Sequence, residues 1–187
     1  MTSKAHGAGH SSFALIDAAV LLAEFESMKD GVVLDLGCGP GHYSIALAEA
    51  LGSEATIHAL DLWDEGIALL RQAAASRSLG NIHARVADLA QPLDLADGSI
   101  DACLMATVLH ELIKEDRHGF VLAQVRRVLK PGGTLAVIEF EKTAALPGPP
   151  PAVRIAFDEL TALLARYGFS SHRRLNFSSA LYFGLFS

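Results

Sequence analysis

The sequence predicts an α/β fold, with a parallel sheet covered by helices on both faces. Three observations carry this. Apolar runs and helix-period segments alternate five times along the chain. The first apolar run, Val32 to Leu36, passes into a turn with glycine at 37, 39 and 41 and then at once into a helix pattern. The last two apolar runs are joined by a short turn, so they form an antiparallel hairpin. Seven strands follow, mostly parallel, with one reversed.

The elements read in order as follows. Met1 to Ser11 is polar and glycine-bearing, a mobile start. Ser12 caps a helix through about 27, with Phe13, Ile16, Val20 and Ala23 on one face. Asp30-Gly31 turns into strand 32–36, helix 42–51 ends at Gly52, and strand 56–61 leads to a helix over 63–78. Strand 82–86 follows Asn81, and 91–99 is loop. Strand 100–105 precedes a helix over 117–129, which Lys130-Pro131-Gly132-Gly133 stops. Strand 134–140, a stiff proline connector at 147–151, a helix over 157–167 and strands 170–176 and 180–186 complete the chain. One domain over 1–187 is expected, with residues 1–30 as an N-terminal tail and lid helix.

The 187 residues are 51% apolar, enough for a sizeable core. A net charge of −6 argues against nucleic-acid binding, and Arg173-Arg174 is too short a basic cluster to reverse that. Two cysteines, Cys38 and Cys103, suit a reducing cytoplasm rather than a disulfide framework. Asp17 and Glu24 interrupt the apolar N-terminal run, so it is no signal peptide, and no stretch is apolar enough to span a membrane.

The glycine turn and the next strand end carry the chemistry. Amides at the start of the helix suit an anionic group. Asp61, closing the second strand, stands where a doubly wound sheet places a carboxylate for a ribose. Together they imply a nucleoside-containing cofactor. The dinucleotide fingerprint fails, because its third glycine falls on His42. Asp35 lies just before the turn, where it would repel a pyrophosphate and attract a cation such as an amino-acid ammonium.

With Asp35-x-Gly37-Cys38-Gly39-x-Gly41, Asp61, Asp88, Ala106-Thr107-Val108-Leu109-His110 and Leu129-Lys130-Pro131-Gly132-Gly133 in this order, the sequence resembles the class I, Rossmann-like S-adenosylmethionine-dependent methyltransferases over about residues 30–175. The resemblance implies that Asp35 to Gly41 holds the methionine part of S-adenosylmethionine and that Asp61 binds both ribose hydroxyls. It implies further that Leu62 lies against adenine, that Asp88 bonds the adenine amino group and that Leu89 adds a backbone contact. Ala106 and Thr107 would line the sulfonium, and S-adenosylhomocysteine would be the product. Val108-Leu109-His110 in a small chain resembles the quinone-methyltransferase-like, small-molecule subgroup. Two cysteines weigh against the multi-thiol chemistry of arsenite methylation known in related enzymes.

His110, after the fourth strand, is the candidate general base near the acceptor; the alternative is a lining or cap residue. Trp63 either flanks adenine or packs at a helix start. His42 is a secondary candidate for a contact with the cofactor carboxylate or the substrate, and Glu111 is solvated or pairs locally; Glu139 and Glu141 either reach the acceptor side or, as a strand end favours, face solvent. His6 and His10 are four apart, but Gly7 and Gly9 disfavour the helix a metal site would need, and no metal is expected. A tail closing over the cofactor, with Phe13 as a lid residue, fits better. The expected partner is a small-molecule methyl acceptor bound between the N-terminal helix and the loops after strands four and five, the protein being a monomer or homodimer. Methylation of a protein or nucleic acid, a non-catalytic cofactor-binding module and a nicotinamide oxidoreductase are the alternatives.

Overall fold

The structure is a computed structural model and describes residues 11–142 and 147–187. His6 and His10, and part of the segment before Pro147, lie outside the described residues. The seven strands are β1 (Val32–Leu36), β2 (Thr56–Asp61), β3 (Ile82–Val86), β4 (Ile100–Ala106), β5 (Leu129–Phe140), β6 (Ser171–Asn176) and β7 (Leu181–Phe186). They form one sheet in the order β3-β2-β1-β4-β5-β7-β6. The pairs among β1 to β5 are parallel, and β7 runs antiparallel to both β5 and β6. The order reverses direction between β1 and β4, which opens a crevice at their carboxyl ends.

Six α-helices flank the sheet: α1 (Ala18–Ala23), α2 (His42–Leu51), α3 (Asp64–Ser76), α4 (Leu109–Lys114), α5 (His118–Val128) and α6 (Phe157–Ala165). Side chains of alternate parity leave each central strand on opposite faces. Leu34, Leu36, Cys103, Leu135 and Val137 pack with Val121, Leu122, Val125, Leu160 and Leu164 of α5 and α6. Val33, Ile57, Ala102, Leu104 and Ile138 pack with Leu21 of α1 and Tyr43, Leu47 and Leu51 of α2.

Three expectations change. The helix expected from Ser12 breaks into a 3-10 turn (Ser12–Leu15), α1 and a second 3-10 turn (Glu26–Met28). The cause is Asp17, whose carboxylate accepts the Ala19 N–H at 3.0 Å and so starts α1 afresh. Ser11 caps the first turn instead of Ser12. Secondly, the Lys130–Gly133 turn belongs to β5. Leu129 pairs with Ile100, and the register then shifts before Ala102 meets Thr134, giving a bulge in which Pro131 has no N–H to offer. Thirdly, α4 fills the stretch after Val108, where the sequence pattern predicts no helix. The proline connector is also more than a spacer. Arg154, buried, donates to the carbonyls of Pro147, Pro149 and Glu141 and lies over the Phe140 ring.

Gly41 shows how closely the glycine turn is built into this frame. Its φ is +82°, and a Cβ there would sit 2.2 Å from Cδ1 of the fully buried Leu70 in α3. Gly41→Ala therefore combines a left-handed backbone with a core overlap that cannot relax outward. We expect a loss of about 2–4 kcal/mol in denaturant unfolding. Leu70→Ala should cost less in that variant than in wild type, because there it also relieves the overlap.

Candidate functional site

The expected site residues gather at the carboxyl ends of β1, β2, β3 and β4. The turn after β1 is held by its own amides: the N–H groups of Gly37 and Cys38 both donate to the Leu60 carbonyl, at 2.8 and 3.1 Å. The Gly39 N–H instead donates to Asp61 Oδ2 at 2.7 Å, and Asp61 Oδ1 accepts the Trp63 N–H at 2.8 Å. Both Asp61 oxygens are thereby aimed, and each keeps a lone pair for a hydroxyl donor. Gly39 has φ +53°, and a Cβ there would meet nothing within 4 Å, so the backbone lies open to a ligand. A Cβ on Gly37 would sit 2.7 Å from Val108 Cγ2, so the turn lies directly against the segment after β4.

Asp35 lies beneath the turn rather than at its surface. It is 1% exposed, and Ser44 in α2 donates to Oδ2 at 2.5 Å. A direct approach of a ligand ammonium to this carboxylate is blocked in this arrangement. Burial, against the Ser44 hydrogen bond and helped by the charge of Asp61, pushes its pKa up to about 7. The unfolded chain releases this proton near pH 4, so between about pH 4 and 7 the folded state holds it and stability falls as pH rises, then levels off above 7. Asp35→Asn removes this dependence. The stability gain of the variant over wild type should grow through that window to at most about 4 kcal/mol, as read by thermal unfolding against pH.

At the next strand end, Asp88 Oδ1 accepts the Ala90 N–H and an Arg117 Nη2–H, each at 2.9 Å. Leu62, next to Asp61 in the chain, is 45% exposed, whereas the Leu89 side chain is buried in the core. Two carboxylates thus stand at the carboxyl ends of the neighbouring strands β2 and β3, with an exposed leucine following the first. Two acceptor carboxylates and an apolar side chain fit a ribose diol, an exocyclic amine and a purine face. The Trp63 ring lies on the first turn of α3, where a Cβ on Gly66 would fall 2.4 Å from its Cε3.

After β4, Ala106 is buried and Thr107 takes φ +54°, a strained conformation for a β-branched residue. Its hydroxyl is 3.2 Å from Ser12 Oγ, which is 2.8 Å from the Tyr43 hydroxyl. The Phe13 ring stacks on His42 and meets Tyr43 edge-on, so the N-terminal segment covers the turn and the post-β4 loop together.

His110 opens α4 and is almost fully buried. Glu139, 0% exposed, accepts both the His110 backbone N–H at 3.1 Å and Nδ1 at 2.8 Å. In the neutral ring this places the proton on Nδ1 and the lone pair on Nε2. Nε2 is 3.6 Å from Glu111, which pairs with Lys114 at 3.1 Å. Burial opposes the charged ring, but the hydrogen bond and charge of Glu139, with Glu111 adding, raise the His110 pKa above the ordinary value. Glu139 is the residue that sequence reading misplaced: it faces the core, not solvent. Glu141 is partly exposed and bonds Arg174. Both cysteines are buried, Cys38 in the turn and Cys103 in β4, and burial raises both thiol pKa values. A depression of about 720 Å³ lies at the opposite, amino-terminal ends of β2 and β3, near Gly52, Thr56 and His83, away from all these groups.

Fold and site together define a doubly wound α/β protein with a nucleoside-cofactor crevice. Residues 33–133 match the family model of the methyltransferase domain. A crystallised S-adenosylmethionine-dependent methyltransferase from Aquifex aeolicus superposes with a TM-score of 0.84 at 26% identity, covering 94% of this chain and 92% of that one. A ubiquinone/menaquinone biosynthesis C-methyltransferase from Methylobacterium nodulans is 35% identical over 108 residues, 58% of this chain and 41% of that protein. An arsenite methyltransferase from Halobacterium salinarum is 29% identical over 142 residues, 75% of this chain and 34% of that protein. The chain thus spans less than half the length of these two relatives. The chain belongs to the methyltransferase domain family, within the class I S-adenosylmethionine-dependent methyltransferases, as its motifs led us to expect. No helix among the described residues is long and apolar enough to cross a membrane.

Proposed function

We propose that this chain is a single methyltransferase domain that methylates a small-molecule acceptor, with the segment before residue 30 serving as its lid. When bound, S-adenosylmethionine supplies a methyl group on a positively charged sulfur, open to in-line displacement by an electron pair of the acceptor. The chain's own residues orient the partners and exclude water. Asp61 grips the ribose hydroxyls, Asp88 the purine amine, and the 37–41 backbone the amino-acid end. Leu62, Ala106 and Thr107 shape the walls of the crevice, and Leu89 adds a backbone contact.

His110 Nε2 takes the proton that the acceptor atom must lose, and Glu139 steadies the resulting imidazolium through Nδ1. The buried contact between His110 Nδ1 and Glu139, at 2.8 Å beside the crevice, is the observation that carries the reading of turnover rather than mere binding. The net charge of −6 and the cover of the N-terminal segment favour a small acceptor over nucleic acid. The buried thiols offer no surface for arsenic chemistry. The Methylobacterium relative is named for C-methylation in ubiquinone/menaquinone biosynthesis, which makes phenolic or enolic ring compounds the first acceptors to try. The protein is to be titrated calorimetrically with S-adenosylhomocysteine, then incubated with methyl-labelled cofactor and a metabolite extract. Binding followed by label in a low-mass product supports the reading. Absence of binding by folded protein ends it, and label found only in protein or nucleic acid moves it to a macromolecular acceptor.

A further inference from the structure

Arg117, at the corner between α4 and α5, has no part in the reading above. Its Nη2 donates to Asp88 Oδ1 at 2.9 Å, and its Nη1 donates to Glu115 Oε2 at 3.4 Å. Its backbone is pinned as well. The Arg117 N–H donates to the Leu112 carbonyl at 2.8 Å, and its own carbonyl accepts the Val121 N–H at 3.3 Å. Asp88 Oδ1 therefore takes two donors, Arg117 and the Ala90 N–H. Its other oxygen, Oδ2, makes no hydrogen bond among the described residues.

That asymmetry has a physical use. The Arg117 and Asp88 side chains are about a third exposed, at 34% and 35%, and an ion pair of that kind adds little to stability. It does restrict rotation. A lone aspartate on a loop samples several rotamers, whereas one held at Oδ1 by a guanidinium and an amide points Oδ2 in a single direction. An ionised carboxylate only accepts hydrogen bonds, so an aimed Oδ2 welcomes an exocyclic amine and repels a carbonyl oxygen in the same place.

We propose that Arg117 is a positioning residue, which aims Asp88 Oδ2 and so sets the preference of this site for a 6-amino purine over a 6-oxo purine. The proposal rests on the reading of Asp88 as the purine contact. Arg117 acts through Asp88 and needs no contact with the ligand.

The test is calorimetric titration of wild type, Arg117→Ala, Arg117→Lys and Asp88→Asn with S-adenosylhomocysteine and with S-inosylhomocysteine, which carries oxygen in place of the amine. Wild type should prefer the adenine ligand by about 10- to 100-fold. Arg117→Ala should lower that preference at least about fivefold, almost wholly by weakening the adenine ligand, because the lost hydrogen bond is the one it aims. Lysine keeps a charge but not the fork, so it should restore only part of the preference. A merely structural role would weaken both ligands alike and leave the ratio unchanged, which overturns the proposal. A ratio unchanged in Asp88→Asn overturns it too, and with it the purine assignment of Asp88. Binding of neither ligand by folded wild type removes the methyltransferase reading and this proposal together. A ratio lost in Asp88→Asn but kept in both Arg117 variants leaves the cofactor site standing and rejects Arg117 alone.

Discussion

Glu139→Gln should lower kcat by about 10²- to 10⁴-fold while leaving the affinity for S-adenosylhomocysteine within about twofold. Hydrogen-bond count sets this loss. Glu139 accepts two N–H groups of His110, one from the backbone and one from Nδ1. Glutamine has one acceptor oxygen and an amide that only donates. If the oxygen keeps the backbone N–H, the amide faces Nδ1 and forces the ring into the other tautomer, with its proton on Nε2. The lone pair that would receive the acceptor's proton is then on the wrong nitrogen. The substitution preserves volume and removes a buried charge, so the fold should survive it.

The pH profile separates a base from a packing residue. Turnover by His110 requires the neutral ring, so kcat/KM should rise with pH through the His110 pKa, which lies above the ordinary histidine value. Without the negative charge of Glu139, burial dominates and the residual rising limb of Glu139→Gln should move to lower pH. His110→Ala should abolish that limb and cut kcat to a similar extent. Wild-type turnover and an unmoved profile in both variants would leave His110 and Glu139 as lining residues only.

Why was Glu139 misread, when the strand holding it was found? Within β5, Leu135 and Val137 share its parity and pack under α5 and α6, while Ala136, Ile138 and Phe140 fill the other face. A strand apolar on both faces is covered on both, so a glutamate continuing the Leu135–Val137 series points into protein. That signal was present in the sequence. What hides it is its place at the end of the apolar run, where solvent is the default neighbour, whereas β7 pairs with β5 as far as Phe140 and sets Tyr182 beside Glu139. The glycine turn, Asp61 and Asp88 were legible because each sits at a strand end, where topology alone fixes the position. Asp35 was legible in place but not in depth, since only the packing of α2 shows that Ser44 reaches it. The N-terminal helix failed at Asp17, because a capping side chain and a helical surface residue look alike until the backbone is seen.

Asp61→Ala should weaken S-adenosylhomocysteine binding by about 1.5–3 kcal/mol, roughly 10- to 150-fold, by removing a charged acceptor from two ribose hydroxyls. The structure adds a second route to the same loss. Asp61 also ties the Gly39 N–H and the Trp63 N–H, so its removal frees both the turn after β1 and the start of α3. The two routes differ in what they depend on. Direct contact requires the hydroxyls, whereas turn shaping acts on any ligand. A cycle of wild type and Asp61→Ala against S-adenosylhomocysteine and its 2′,3′-dideoxyribose analogue separates them. If the carboxylate grips the sugar, the analogue binds both proteins nearly alike and the coupling is about 1.5–3 kcal/mol. If Asp61 only braces the turn, the variant loses the same factor with either ligand and the coupling vanishes. Asp61→Asn sharpens the distinction. Its single oxygen can still accept the Trp63 N–H, but its amide faces the Gly39 N–H as a second donor, so the turn should suffer in proportion to its dependence on that bond. Affinity retained in all three measurements would place the ribose elsewhere on the sheet edge, and the assignment of β2 to the cofactor would go with it.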